Sequence, residues 1–186
     1  VKCNGQCNGS AASTISGGTP GYFYSWSSGQ TTVNATALCA GSDTLTITDA
    51  NGCTTTQTVT ITEPTALSYS VSSTDLQCNG QCNGNATSTA SGGTPTYSYS
   101  WNNGQSTFNA TGLCATSYTV TVADANNCVS TQTVTIAEPS AITITANSTP
   151  ANCIGNTGTA TAIPAGGTPG YFYSWSSGQT TVNATA

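Results

Sequence analysis

Apolar and polar residues alternate along most of this chain. Between residues 66 and 73, Leu67, Tyr69 and Val71 alternate with Ser68, Ser70 and Ser72, the two-residue period of a half-buried strand. Tyr97, Tyr99 and Trp101 alternate with serines, and Tyr118, Val120 and Val122 with threonines. Val134 and Ile136 do the same beside Thr133 and Thr135. Shorter strands are expected at 86–90 and 106–110. Turn signals separate them: Gly92-Gly93-Thr94-Pro95, Asn103-Gly104 and Asp124-Ala125-Asn126. No window has helical apolar spacing with caps. Six or seven short strands in a unit of about 75 residues predict an all-β sandwich.

The pattern then repeats. The words GGTPGYFYSWSSGQTTVNATA stand at 17–37 and again, unchanged, at 166–186, with a looser copy at 92–112. Cys3, Cys78 and Cys153 keep the same step of about 75 residues. Proline cannot donate to a sheet ladder, so Glu63-Pro64 and Glu138-Pro139 are read as edges between beads. Three repeats are expected: 1–64, without its opening strand; 65–139, complete; and 140–186, truncated. On this reading the chain is expected to be an excerpt from a longer array.

Composition removes most other classes. Lys and Arg together number 1, Asp and Glu 6, and His and Met are absent. With so little positive charge, neither nucleic acid nor an anionic membrane surface is an expected partner. No apolar run reaches the roughly 20 residues of a spanning helix, and Val1 opens inside a polar repeat rather than a signal peptide. The usual acids, bases and cofactor anchors are nearly missing, so neither enzyme activity nor a cofactor is expected.

The nine cysteines change the picture again. Cys3, Cys7, Cys39 and Cys53 are matched by Cys78, Cys82, Cys114 and Cys128, an even set per small unit, which reads as a disulfide framework in an oxidising compartment. A four-thiolate zinc site fits the spacing poorly, because Cys39 and Cys53 stand too far apart for a knuckle. Asp49 and Asp124 recur in DANGC and DANNC. Their first reading is an Asx-type turn, with weak calcium ligation as the alternative. Tyr22, Tyr24 and Trp26 share one strand face and are expected in the core. Phe23 and Phe172 fall on the other face, as candidates to touch a neighbouring filament or a sugar ring, or to cover a hinge between beads.

Taken in order, Cys-Asn-Gly, GGTPGYFYSW, Gly-Gln-Thr-Thr, TLTITDANGC and TVTITEP resemble the SprB repeat of Bacteroidota surface adhesins, and the match spans essentially the whole chain. The unit is also similar to polycystic-kidney-disease and other immunoglobulin-like domains. The resemblance implies a very large, extracellular, cell-surface protein exported by type IX secretion and moved by gliding motility machinery. Two departures stand out. Asp43 takes the place of Tyr118, a tyrosine that resembles a tyrosine corner. Thr157 takes the place of a second cysteine.

Four cysteines per repeat allow three connectivities. Cys153 is kept without a cysteine at 157, which argues that Cys3 and Cys7 belong to different bridges. The expectation is Cys3–Cys53 with Cys7–Cys39, and Cys78–Cys128 with Cys82–Cys114. The family's common first and Asn-Gly-Cys cysteines agree with it; the crossed arrangement, Cys3–Cys39 with Cys7–Cys53, is the alternative. Asp43-Thr44-Leu45 resembles the O-glycosylation motif of Bacteroidota, which makes Thr44 a candidate site. The functional reading is a structural and adhesive stalk, whose copies give reach, stiffness and avidity. Its expected partners are other copies of the repeat, laterally associated chains, a surface polysaccharide or substratum, and, by resemblance, the motility machinery. A carbohydrate-binding array, or a fibre unconnected with motility, is the competing reading.

Overall fold

The computed structural model describes residues 1–151 and 158–185. Among the described residues there are fourteen strands and no helix. In the first repeat β1 (Gly9–Ala12) pairs with β3 (Asn34–Leu38), while β2 (Phe23–Trp26), β4 (Gly41–Thr48) and β5 (Thr54–Ile61) form a sheet in the order β2-β4-β5. Ala11, Ala35 and Leu38 from one sheet meet Trp26, Leu45 and Ile61 from the other in one buried cluster. That is a small sandwich, built by the alternation of the sequence.

The second repeat adds β6 (Ser68–Thr74), β7 (Gly84–Ser91), β8 (Ser98–Trp101), β9 (Asn109–Leu113), β10 (Ser117–Ala123) and β11 (Val129–Thr135). Its sheets run β6-β7-β9 and β11-β10-β8. The third contributes β12 (Thr143–Thr149), β13 (Thr159–Ala165) and β14 (Asn183–Thr185), a sheet in that order. The chain is therefore a tandem series of immunoglobulin-like β-sandwich repeats.

Two compact units are distinguishable. One comprises Val1–Ser70, Ser88–Phe108 and Val120–Gln132, and it buries the first core together with Trp101, Val120 and Val122. The other comprises Val71–Thr87, Asn109–Thr119 and Thr133–Ala186, and it buries Leu76, Ala86, Ala110, Leu113 and Ile136.

One expected strand is displaced: β9 starts at Asn109 rather than at 106. The preceding residues wrap the tryptophan instead, and the Trp101 Nε1–H donates to Thr107 O at 2.9 Å. Trp26 donates to Thr32 O at 2.9 Å and Trp175 to Thr181 O at 2.8 Å in the same way. A buried indole needs a partner for its N–H, and the words after each tryptophan supply it.

Close packing explains the glycine of Cys-Asn-Gly in β7. A Cβ on Gly84 would lie 2.8 Å from Ile136 Cγ2, 3.0 Å from Leu113 O and 3.1 Å from Leu76 Cδ2. Overpacking of this kind costs about 1–3 kcal/mol, so Gly84→Ala is expected to lower the thermal midpoint by several degrees. An unchanged midpoint in calorimetry would show that the strand can move away from Ile136.

Candidate functional site

Each DANGC-type turn folds around its own aspartate. Asp49 Oδ1 accepts from Asn51 N at 3.0 Å and Cys53 N at 2.9 Å, and Oδ2 accepts from Thr19 N at 3.0 Å. Asp124 repeats the arrangement with Asn126 N and Cys128 N, each at 2.9 Å, and Thr94 N at 2.8 Å. The carboxylate thus ties the GGTP loop to the turn. These donors hold both carboxyls below the usual carboxylate range; the Thr19 N–H is the largest cause at Asp49 and the Thr94 N–H at Asp124. A Cβ on Gly93, whose φ is +60°, would lie 2.6 Å from Asp124 Oδ2, so the loop needs glycine there. Both aspartates are engaged by backbone donors, and a calcium ion would have to displace these. Among the described residues no group of three or more His, Cys, Asp or Glu is placed to hold a metal.

The opposite end of the repeat is a second clasp. Gly5 N donates to Glu63 Oε2 at 2.6 Å, and Asn4 Nδ2 to Pro64 O at 3.1 Å. Gly80 N donates to Glu138 Oε2 at 2.6 Å, and Asn79 Nδ2 to Pro139 O at 3.1 Å. Cys-Asn-Gly therefore docks on Glu-Pro. Sequence reasoning treated the glutamates as a polar edge and missed this. The available signal was the recurrence of both words at one fixed separation.

The clasp decides the disulfides. Cys7 joins Cys39 and Cys82 joins Cys114. Cys3, however, joins Cys128, with a Cα–Cα distance of 5.7 Å, and Cys53 and Cys78 are free and exposed. The expected Cys3–Cys53 and Cys78–Cys128 pairs are thus replaced. Cys3 lies where its loop is fastened, beyond the last residue of β5, whereas Cys53 immediately precedes the first. Eight residues of strand span roughly 26 Å, and a disulfide needs Cα atoms within about 7 Å. Seven-residue β11 separates Cys78 from Cys128 in the same way. Cys3 reaches the next repeat instead, where Asn126 Nδ2 also donates to Lys2 O at 3.0 Å. The argument from Cys153 and Thr157 falls outside the described residues.

The remaining candidates are placed as follows. Asp43 is buried and accepts from the Ser27 hydroxyl, from Ser28 N at 3.0 Å and from Ser28 Oγ at 2.8 Å. The Ser27 hydroxyl is the largest cause of its lowered pKa. In the second repeat Tyr118 Oη instead accepts from Cys114 N at 3.0 Å, so the two repeats close the same corner with different chemistry. Phe23 is 70 % exposed and Phe172 fully so. Phe108 is exposed as well, which the alternation had not singled out. Thr44 lies on β4, the central strand of its sheet, with its hydroxyl 2.8 Å from that of Thr58.

Lowered carboxyl pKa values give stability that is complete above the unfolded value of about 3.9 and is lost as pH falls through it toward the folded value. Asp124→Asn is therefore expected to melt at a lower temperature than the parent at pH 7. The gap should narrow as pH falls below about 3.9 and the parent carboxyl takes up its proton. Equal melting temperatures at pH 7 would remove the aspartate from the account.

The chain resembles known proteins at two levels. No curated protein matches it. Among solved structures, that of the amphioxus IgVJ-C2 molecule covers 70% of this chain and 97% of its own, at 12% identity and a TM-score of 0.33. The family comparison is of a different kind. Residues 1–31, 70–106 and 145–180 match the SprB repeat, and these segments hold the Cys-Asn-Gly loops that begin at Cys3 and Cys78, the GGTP loops and the tryptophans. SprB repeats come from cell-surface proteins and are as a rule structural domains rather than enzymes, which makes this an adhesin-like repeat region, and its disulfides suit an oxidising environment. More than half of the chain falls within those three matches, once per repeat, and the chain belongs to the SprB repeat family.

Proposed function

We propose that this chain is a load-bearing segment of an extracellular adhesive filament, made of beads 1–64, 65–139 and 140–186. The observation that carries this reading is the Cys3–Cys128 bridge, which ties one repeat covalently to the next. A tether under tension has a use for such a tie, because force entering near residue 3 can leave near residue 128 without unfolding what lies between. Near-identical copies suit a spacer, and an exposed phenylalanine in each repeat, Phe23, Phe108 and Phe172, offers many weak contacts that add through avidity. The partners in this reading are a substratum or surface polysaccharide, neighbouring copies of the chain, and the gliding machinery of a type IX-secreting bacterium. A glycan-binding array is the second reading, favoured by the same phenylalanines; it requires glycan binding that Phe23→Ser weakens, whereas a spacer binds no glycan saturably.

Pulling the oxidised chain from its two ends tests the load-bearing role. About 60 residues lie outside the bridge, so the fully extended length is expected near 200 Å, rising roughly threefold after reduction. The same full length before and after reductant would contradict it. Labelling intact cells with antibody to this chain should mark long surface structures, and antibody should reduce attachment; labelling confined to the cell interior would overturn the adhesive reading.

A further inference from the structure

Cys53 and Cys78 carry free, exposed thiols, yet their counterparts one repeat away, Cys128 and Cys3, are bonded to each other. The surroundings of the free thiols repeat those of the bonded ones. Beside Cys3 is an open groove of about 380 Å³, lined by Asn4, Ala66 and Leu67 and flanked by Cys128 and Val129. Beside Cys78 is a groove of about 410 Å³ with Asn79, Ala141 and Ile142 in the matching places. Among the described residues, none of those lining the second groove is a counterpart of Cys128. Ile142 and Ile144, which correspond to the half-buried Leu67 and Tyr69, are 64 % and 67 % exposed.

Cys53 presents the complementary half. It sits on an aspartate-capped turn with the same three backbone bonds as the turn of Cys128. In the bonded turn, Asn126 Nδ2 donates both to Thr94 Oγ1 and to Lys2 O, the carbonyl next to Cys3. Asn51 Nδ2, its counterpart, donates to Thr19 Oγ1, leaving its amide placed to receive the same kind of loop.

We propose that Cys78 is a cross-link site for the following repeat's counterpart of Cys128, and Cys53 one for the preceding repeat's counterpart of Cys3. The array then carries a staple at every junction. In each staple two thiols lose two protons and two electrons as the S–S bond forms. An external disulfide is the oxidant and leaves as two thiols. Each staple joins residues 125 apart but a new one starts about every 75, so successive staples overlap like rungs of a ladder. The covalent path that jumps from staple to staple then crosses only about 25 residues of backbone in every two repeats, or roughly one sixth of the chain that force could otherwise extend.

The test lengthens this chain by a second copy of Leu113–Pro139 after Ala186, with Cys114→Ser in the added copy only. The oxidised protein is alkylated, digested at aromatic residues without reduction, and mapped by mass spectrometry. Cys78 is expected in a peptide linked to the added copy of Cys128, and it should become alkylatable when that added cysteine is changed to serine. With Cys82–Cys114 intact in the same digest as a report of folding, an alkylated Cys78 overturns the proposal. A second variant stands on the unlengthened chain: Cys3→Ser should expose the Cys128 thiol to alkylation and leave Cys78 unlinked. A Cys78–Cys128 peptide there would overturn it equally.

Discussion

A disulfide is short and a β-strand is long. Two cysteines at opposite ends of one strand cannot pair, because eight strand residues span roughly 26 Å and the bond tolerates about 7 Å between Cα atoms. In this chain the Cys-Asn-Gly loop is held at one end of β5 by Glu63 and Pro64, while Cys53 precedes the other end. That constraint sorts the cysteines into two sets. Cys7 and Cys39, like Cys82 and Cys114, close within a repeat. The outer ones face outward at opposite ends, and Cys3 finds Cys128 of the neighbour. From this follow the covalent junction between the first two repeats and the two free thiols, Cys53 and Cys78.

The rest of the architecture keeps those ends in register. Cores of this size bury few large side chains: the first repeat relies on Trp26, Leu38, Leu45 and Ile61 with two alanines, and small domains of this kind are marginal without staples. Polar clasps supply the remainder. Asp49 and Asp124 each gather three backbone N–H groups at one end, and Glu63 and Glu138 each fasten a Cys-Asn-Gly loop at the other. Charge is scarce in this chain, and the acids that recur are spent on backbone donors rather than on ion pairs. A carboxylate accepting backbone hydrogen bonds works without a basic partner, which suits a sequence with Lys2 as its one cation.

Much of this was legible in the sequence. A two-residue period and a repeat of about 75 are local or countable patterns, and they survive into most of the strands, the stretch after Trp101 excepted. The aspartate turns were legible for the same reason, since DANGC closes within five residues. The outer disulfides were not. Reading each repeat as a closed bead assumes that its four cysteines satisfy one another, and spacing alone does not say at which end of a strand a cysteine sits. The Glu-Pro clasp, which does say so, pairs words about 58 residues apart in sequence; only their recurrence at one fixed separation hints at it, and one acid beside one proline does not name its distant donor. Asp43 was opaque for another reason. It stands where a tyrosine hydroxyl is expected, and only the serines at 27 and 28, brought across from another strand's end, show how a carboxylate fills that corner.

The central claim is that neighbouring repeats are joined covalently, and the connectivity of Cys3 in the unaltered chain tests it most directly. The oxidised protein, digested at aromatic residues under non-reducing conditions, is predicted to give a product in which the peptide carrying Cys3 and Cys7 is joined both to the peptide of Cys39 and to that of Cys128, with Cys53 recovered as a free thiol. Recovery of Cys3 linked to Cys53 would contradict the account, because it would require the Cys-Asn-Gly loop to leave its clasp on Glu63 and cross the whole length of β5.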